Sequence, residues 1–101
     1  MIVIERMIQE LYPGKNAALE DLDKRWDAIE KTLGFPPKKR MWSISGVHVL
    51  NTLIIERQWA SMAAMEAAYE KSFANADIEA LNEEGSAIIK SSRIELYTPA
   101  Q

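Results

Sequence analysis

Cysteine is absent from this 101-residue chain. That excludes a disulfide framework, a thiolate nucleophile and a thiolate zinc site. Histidine is almost absent: His48 stands alone, so one chain cannot build a multi-histidine metal centre. No spacing of Asp, Glu and His matches a known metal motif either, and neither a metal nor another cofactor is expected. The net charge of −3 lacks the broad positive field of a nucleic-acid binder. The single basic run, Lys38-Lys39-Arg40, reads as a solvated strand entry. No apolar run approaches the roughly 20 residues that a membrane span requires. The first residues, MIVIERMIQEL, contain Glu5 and lack the basic start of a signal peptide. A cytoplasmic protein with no nucleic-acid or membrane partner is the expectation.

Apolar residues make up 48% of the chain and charged residues 27%, an ordinary globular balance. The length suits one domain over residues 1–101 with a single packed core. Residues 2–11 are β-branched and then roughly alternating, which predicts a strand ended by Tyr12-Pro13-Gly14. From Asn16 to Leu33, the residues Leu19, Leu22, Trp26, Ile29 and Leu33 form one helical face, with acids and lysines on the others. Gly34 suits the left-handed position after the helix, and Pro36-Pro37 prevents continuation.

A strand over 39–46, a hairpin loop over 46–51 and a second strand, TLIIERQW, follow. Ser61 stands as the N-cap of a helix with Met62, Met65, Tyr69 and Phe73 on one face. Asn75 and Asp77 offer caps for a short helix carrying Ile78 and Leu81 and ended by Gly85, and the last strand spans 87–97. The order is βαββαβ, which closes into a ferredoxin-like α+β sandwich: a four-stranded antiparallel sheet with the main helices on one face. Pairs such as Ile54-Ile55 and Ile88-Ile89 direct one apolar side chain to each face. The uncovered face is therefore expected to be buried against a second copy, making a homodimer joined through the sheets.

The junction ERQWASMAAMEAAYEK, the preceding LGFPPKKRMWSISG and the closing SSRIELY resemble the dimeric α/β-barrel superfamily, most closely its NIPSNAP-like members. The residues concerned at the junction are Glu56, Arg57, Trp59, Ser61, Met65 and Glu66. The resemblance implies two sheets packed across a two-fold axis, often with a cavity between each sheet and its helices. It spans cofactor-free monooxygenases, haem-degrading enzymes, isomerases and stress proteins, so it does not select an activity. Haem-degrading members use an asparagine, a tryptophan and a histidine. Asn51, Trp59 and His48 supply those types, but not at matching positions, and that site is not carried over.

Arg57 shares a strand face with Leu53, Ile55 and Trp59. It either holds a ligand carboxylate bidentately or pairs with Glu5 or Glu95 across the sheet, the commoner use of such charges. Arg93 with Glu95 presents the same alternatives. His48 reads as an exposed loop tip before a general base or haem ligand. Glu79, Glu83 and Glu84 read as a solvated helix face. Trp42, Trp59 and Tyr97 are expected to line an apolar ligand cavity with Arg57 as its polar anchor, although such aromatic residues are core fillers first. The function expected is a small homodimer that binds a small, largely apolar molecule between sheet and helices. The alternatives are a non-enzymatic stress-associated or regulatory assembly module, and a cofactor-free monooxygenase or isomerase.

Overall fold

The computed structural model describes residues 1–100. The elements run β1 (Val3–Leu11), α1 (Asn16–Thr32), β2 (Lys38–Trp42), β3 (Thr52–Trp59), α2 (Met62–Phe73), α3 (Ala76–Gly85) and β4 (Ile89–Tyr97). The four strands form one antiparallel sheet in the order β2-β3-β1-β4. With the helices layered on it, this is the ferredoxin-like α+β architecture. Register aligns Val3 with Trp59, Glu5 with Arg57, Met7 with Ile55 and Gln9 with Leu53. Because side chains alternate along a strand, these pairs share the face that the helices cover.

Local chemistry sets the helix limits. Gly34 turns left-handed at φ 85, and the Phe35 amide donates back to the Glu30 carbonyl at 3.1 Å, closing α1. The Ser61 hydroxyl accepts from the Ala64 amide at 3.0 Å and starts α2. Asn75 Oδ1 accepts from the Asp77 and Ile78 amides and starts α3. At the end of α3, Gly85 allows close packing on α1: a Cβ there would stand 3.2 Å from Trp26 Cη2. The same end of α3 is tied to α1 by Arg25, which forks onto Glu84 at 2.6 and 2.9 Å. Glu84 is thus paired, where the sequence suggested a merely solvated acid.

Two core clusters lie under the helices. Leu11, Leu53, Ile55 and Ile88 meet Leu19 and Leu22 of α1 and Leu81 of α3 at one end. At the other end Val3 and Trp59 meet Phe35 and, from α2, Met65 and Ala68.

Three expectations need correction. β2 stops at Trp42, well short of residue 46, and the loop beyond it reaches Asn51. Val47, His48 and Val49 of that loop fold over Ile8 and Thr52 on the helix-free face, so His48 is half-buried. In α2 the buried residues are Met65, Ala68 and Ser72. Met62 and Phe73, at the helix ends, are exposed, because the sheet lies only under the middle of the predicted stripe.

Candidate functional site

Between sheet and helices lies a cavity of about 310 Å3. Met7, Gln9, Ile55 and Arg57 form its floor, and α1 contributes Asp23, Trp26 and Glu30. α2 and α3 close it with Tyr69, Ser72 and Ile78, and the exposed residues Phe73, Asn82 and Ser92 also line it. The volume is within the range of small-ligand sites.

One wall is ionic. Lys38 Nζ donates to Asp23 at 2.7 Å and to Glu30 at 3.3 Å. Arg57 Nη2 donates to the same Glu30 carboxylate at 2.6 Å. Arg40, next on that face of β2, forks onto Glu20 at 2.9 and 3.0 Å and brings its Nε to 2.7 Å from Asp23. Its hydrogen bond holds the Glu20 carboxyl below the usual range. The side chains of Lys38 and Asp23 are only 7% and 8% exposed. Desolvating such groups is costly unless they are paired, which explains the continuous chain of contacts. Lys38-Lys39-Arg40 is therefore no solvated entry: Lys38 and Arg40 face α1, and Lys39 alone of the three is exposed.

Behind this wall is a second polar group. Glu5 is 2% exposed and accepts from Trp59 Nε1 at 3.1 Å and from the Tyr69 hydroxyl. Burial, then the bond to Glu5, raises the Tyr69 pKa far above the ordinary tyrosine value. Tyr69 thus lines the cavity while its protonated hydroxyl is committed to a buried carboxylate. Phe35 packs edge-on against Trp59 and Tyr69, at 5.3 and 5.2 Å between ring centroids. The Arg57 guanidinium lies 5.0 Å from the Phe35 ring centre.

Of the residues singled out in the sequence, Arg57 lines the cavity. Its acid partner comes from α1 and is neither Glu5 nor Glu95. Trp59 is in the aromatic layer behind the cavity, held by Glu5. Trp42 packs against the leucine-rich cluster. Tyr97 lies on the helix-free face, where Arg6 stacks over its ring at 5.1 Å and its hydroxyl donates to Glu95. Those three aromatics do not converge with Arg57. Arg93 pairs with Glu95 at 3.2 Å.

Gln9, Asp23, Glu30 and Lys38 were missed as site residues, although a signal for the acids exists. Glu20, Asp23, Asp27 and Glu30 follow a three-four-three spacing beside the apolar stripe of α1, and Lys38 and Arg40 alternate opposite them.

Gln9 and Arg57 carry the most informative detail. Gln9 is 6% and Arg57 5% exposed, yet Gln9 Oε1 and Arg57 Nε have no hydrogen-bond partner among the described residues. Nearly all buried polar atoms are paired. Both of these belong to residues of the cavity floor.

With this geometry in view, solved structures provide the comparison. A NIPSNAP family protein from Agrobacterium tumefaciens superposes with a TM-score of 0.85 at 20% identity, covering 99% of this chain and 94% of its own. The chain has the fold of the NIPSNAP proteins. A NIPSNAP domain protein from Burkholderia xenovorans gives a TM-score of 0.84 at 14% identity, with 97% and 94% covered. SnoaB, a cofactor-independent oxygenase from Streptomyces nogalater, gives 0.71 at 17% identity, with 99% and 94% covered. No family model matches the chain, and no curated protein does. Similarity at these identities concerns the fold, and activity has to be argued from the site. No helix among the described residues is long and apolar enough to cross a membrane.

Proposed function

We propose that this protein binds a small, largely apolar molecule in the cavity between its sheet and helices, as a homodimer in the cytoplasm. The observation that carries the reading is the pair of buried, unpartnered atoms, Arg57 Nε and Gln9 Oε1, on residues of one cavity floor. Each lost a hydration partner on folding, a cost of about 1–3 kcal/mol per unsatisfied group. A ligand that bonds to both would recover it. The sequence-based site thus contracts to Arg57, joined by Gln9 and Tyr69, while Trp59 backs the site through Glu5. Trp42 and Tyr97 have no part in it.

The dimer is supported by the opposite sheet face. Met41 and Tyr97 are exposed there, and Val47 and Val49 stand out from the loop that crosses it. Joining two such faces would bury roughly 1,200–2,000 Å2 in total, and light scattering should return the dimer mass at micromolar concentration. Native mass spectrometry of the freshly purified protein tests ligand binding. A small-molecule adduct that disappears on denaturation is expected, and a bare polypeptide mass that also takes up no added apolar compound would contradict the reading.

Cofactor-free oxygenation or isomerisation is the second reading. Tyr69 favours it, since this cavity-lining residue carries the hydroxyl bonded to the buried Glu5 carboxylate. Substrate-dependent oxygen uptake that is lost in Tyr69→Phe would support it.

A further inference from the structure

The charges around the cavity specify what kind of molecule fits. Glu20, Asp23 and Glu30 face Lys38, Arg40 and Arg57 in continuous ion pairs, so three formal negative charges meet three positive ones and cancel. Glu5 lies opposite Arg57 in the register. Its contacts are the neutral donors Trp59 and Tyr69, so it adds an uncancelled negative charge to this end. Arg57 has already committed Nη2 to Glu30 and keeps Nε, a single N–H donor, without a partner. A carboxylate entering here would meet a guanidinium already neutralised by Glu30, with Glu5 as a further like charge. Inside a protein such like-charge juxtaposition is strongly unfavourable. A neutral oxygen acceptor would take the Nε–H bond without that penalty.

The second unpartnered atom fixes the other end. Gln9 follows Glu5 by four residues on β1, and the Glu5 row contains Arg57. The two rows are therefore roughly 13 Å apart along the strand. Between them stands the apolar pair Met7 and Ile55, both on the cavity floor. Gln9 Oε1 asks for a hydrogen-bond donor.

We infer that the cavity selects neutral molecules with a carbonyl-type acceptor at the Arg57 end, an apolar body and a hydroxyl or amide donor at the Gln9 end, and that it discriminates against carboxylates of the same shape. This rests on the reading of the cavity as a binding site and adds the ligand's charge and polarity to it. It departs from one of the two sequence-based alternatives, in which Arg57 holds a ligand carboxylate.

The test uses matched probes at neutral pH: phenylpropanamide against phenylpropanoate, and their para-hydroxylated counterparts. Binding is followed by protein-observed NMR at the Gln9 side-chain amide and the Arg57 Nε–H. The amides should bind about tenfold or more tightly than the carboxylates, because an uncompensated like charge is costly in the cavity. The para-hydroxyl should tighten amide binding, and Gln9→Leu should abolish that gain. Glu30→Gln frees Arg57 as an unpaired cation and should reverse the preference toward the carboxylate. The wild-type comparison decides even if a variant folds poorly. Equal or tighter carboxylate binding in the wild type would overturn the charge selection while leaving the binding site in place. No cavity shift with any probe, together with no ligand in native mass spectrometry, would remove the binding site itself.

Discussion

At one end of the helix-covered sheet face, Leu11, Leu19, Leu22 and Leu53 meet with no measurable exposure, and their neighbours are Ile55, Leu81 and Ile88. Toward the other end the same face holds Glu5, Arg57 and, across from them on α1, Glu30. The first region is hydrocarbon from sheet to helix, and every buried methylene there contributes directly to stability. The second contains formal charges that had to be desolvated, and a buried ion pair is weak evidence for stability, often replaceable by apolar groups without loss. The leucine-rich end holds the fold together. The charged end, with Arg57 Nε unpartnered on the cavity floor, is where the sequence departs from what packing alone would choose, and such departures tend to occur at functional sites.

Three substitutions test this contrast. Glu30→Met alone leaves the buried Arg57 without its acid and should cost about 3–5 kcal/mol in denaturant unfolding. Adding Arg57→Met should return most of that loss, because the pair then becomes an apolar contact beside Phe35. A double variant no more stable than the single one would show the ion pair to be a true stabiliser and weaken the comparison. In the leucine-rich end Leu53→Ala should cost about 2–5 kcal/mol, and no second substitution of a neighbour by Ala should restore it.

Ser61→Ala removes the hydroxyl that caps α2, with an expected loss of about 1 kcal/mol. An unchanged denaturation midpoint and slope would contradict that capping role.

Tyr69→Phe removes a hydrogen bond to the buried Glu5 carboxylate and has a distinct effect in alkali. Burial and the bond to Glu5 keep Tyr69 protonated above its usual value of 10.0. As pH rises, the unfolded chain sheds this proton first. The contribution is therefore fully present below about pH 10 and is lost as pH climbs above it. Unfolding curves at a series of alkaline pH values should be flatter for Tyr69→Phe than for the parent, and parallel curves would place the hydroxyl outside the buried network.

Much of the fold was legible because periodicity and caps are local. The β3 run from Thr52 to Trp59, the Ser61 cap and the Asn75 cap lie where the residues indicated. The short β2 was not legible, since Ile44 continues the alternation although it is exposed in the loop. Of the cavity lining, the sequence had singled out only Arg57 as a candidate. Alternation put Arg57 on the correct face, but its partner is a matter of which helix lies above it, and Glu30 is 27 residues away in the chain. The same limit misjudged Trp42 and Tyr97. Shared aromatic chemistry suggested a common pocket, whereas Tyr97 aligns with Ile4 on the other face of the sheet. Gln9 carried no sequence signal at all, because a glutamine in an alternating strand looks like any solvent-facing polar residue until its burial is known.

The central claim is that the charged end of the core is a receptor for a neutral ligand, and the Arg57 Nε–H is its most direct reporter. Its NMR resonance in the wild-type protein should shift progressively and saturate as phenylpropanamide is added, with little change over the same range of phenylpropanoate. A resonance that ignores the amide, or one that follows the carboxylate more closely, would contradict the account.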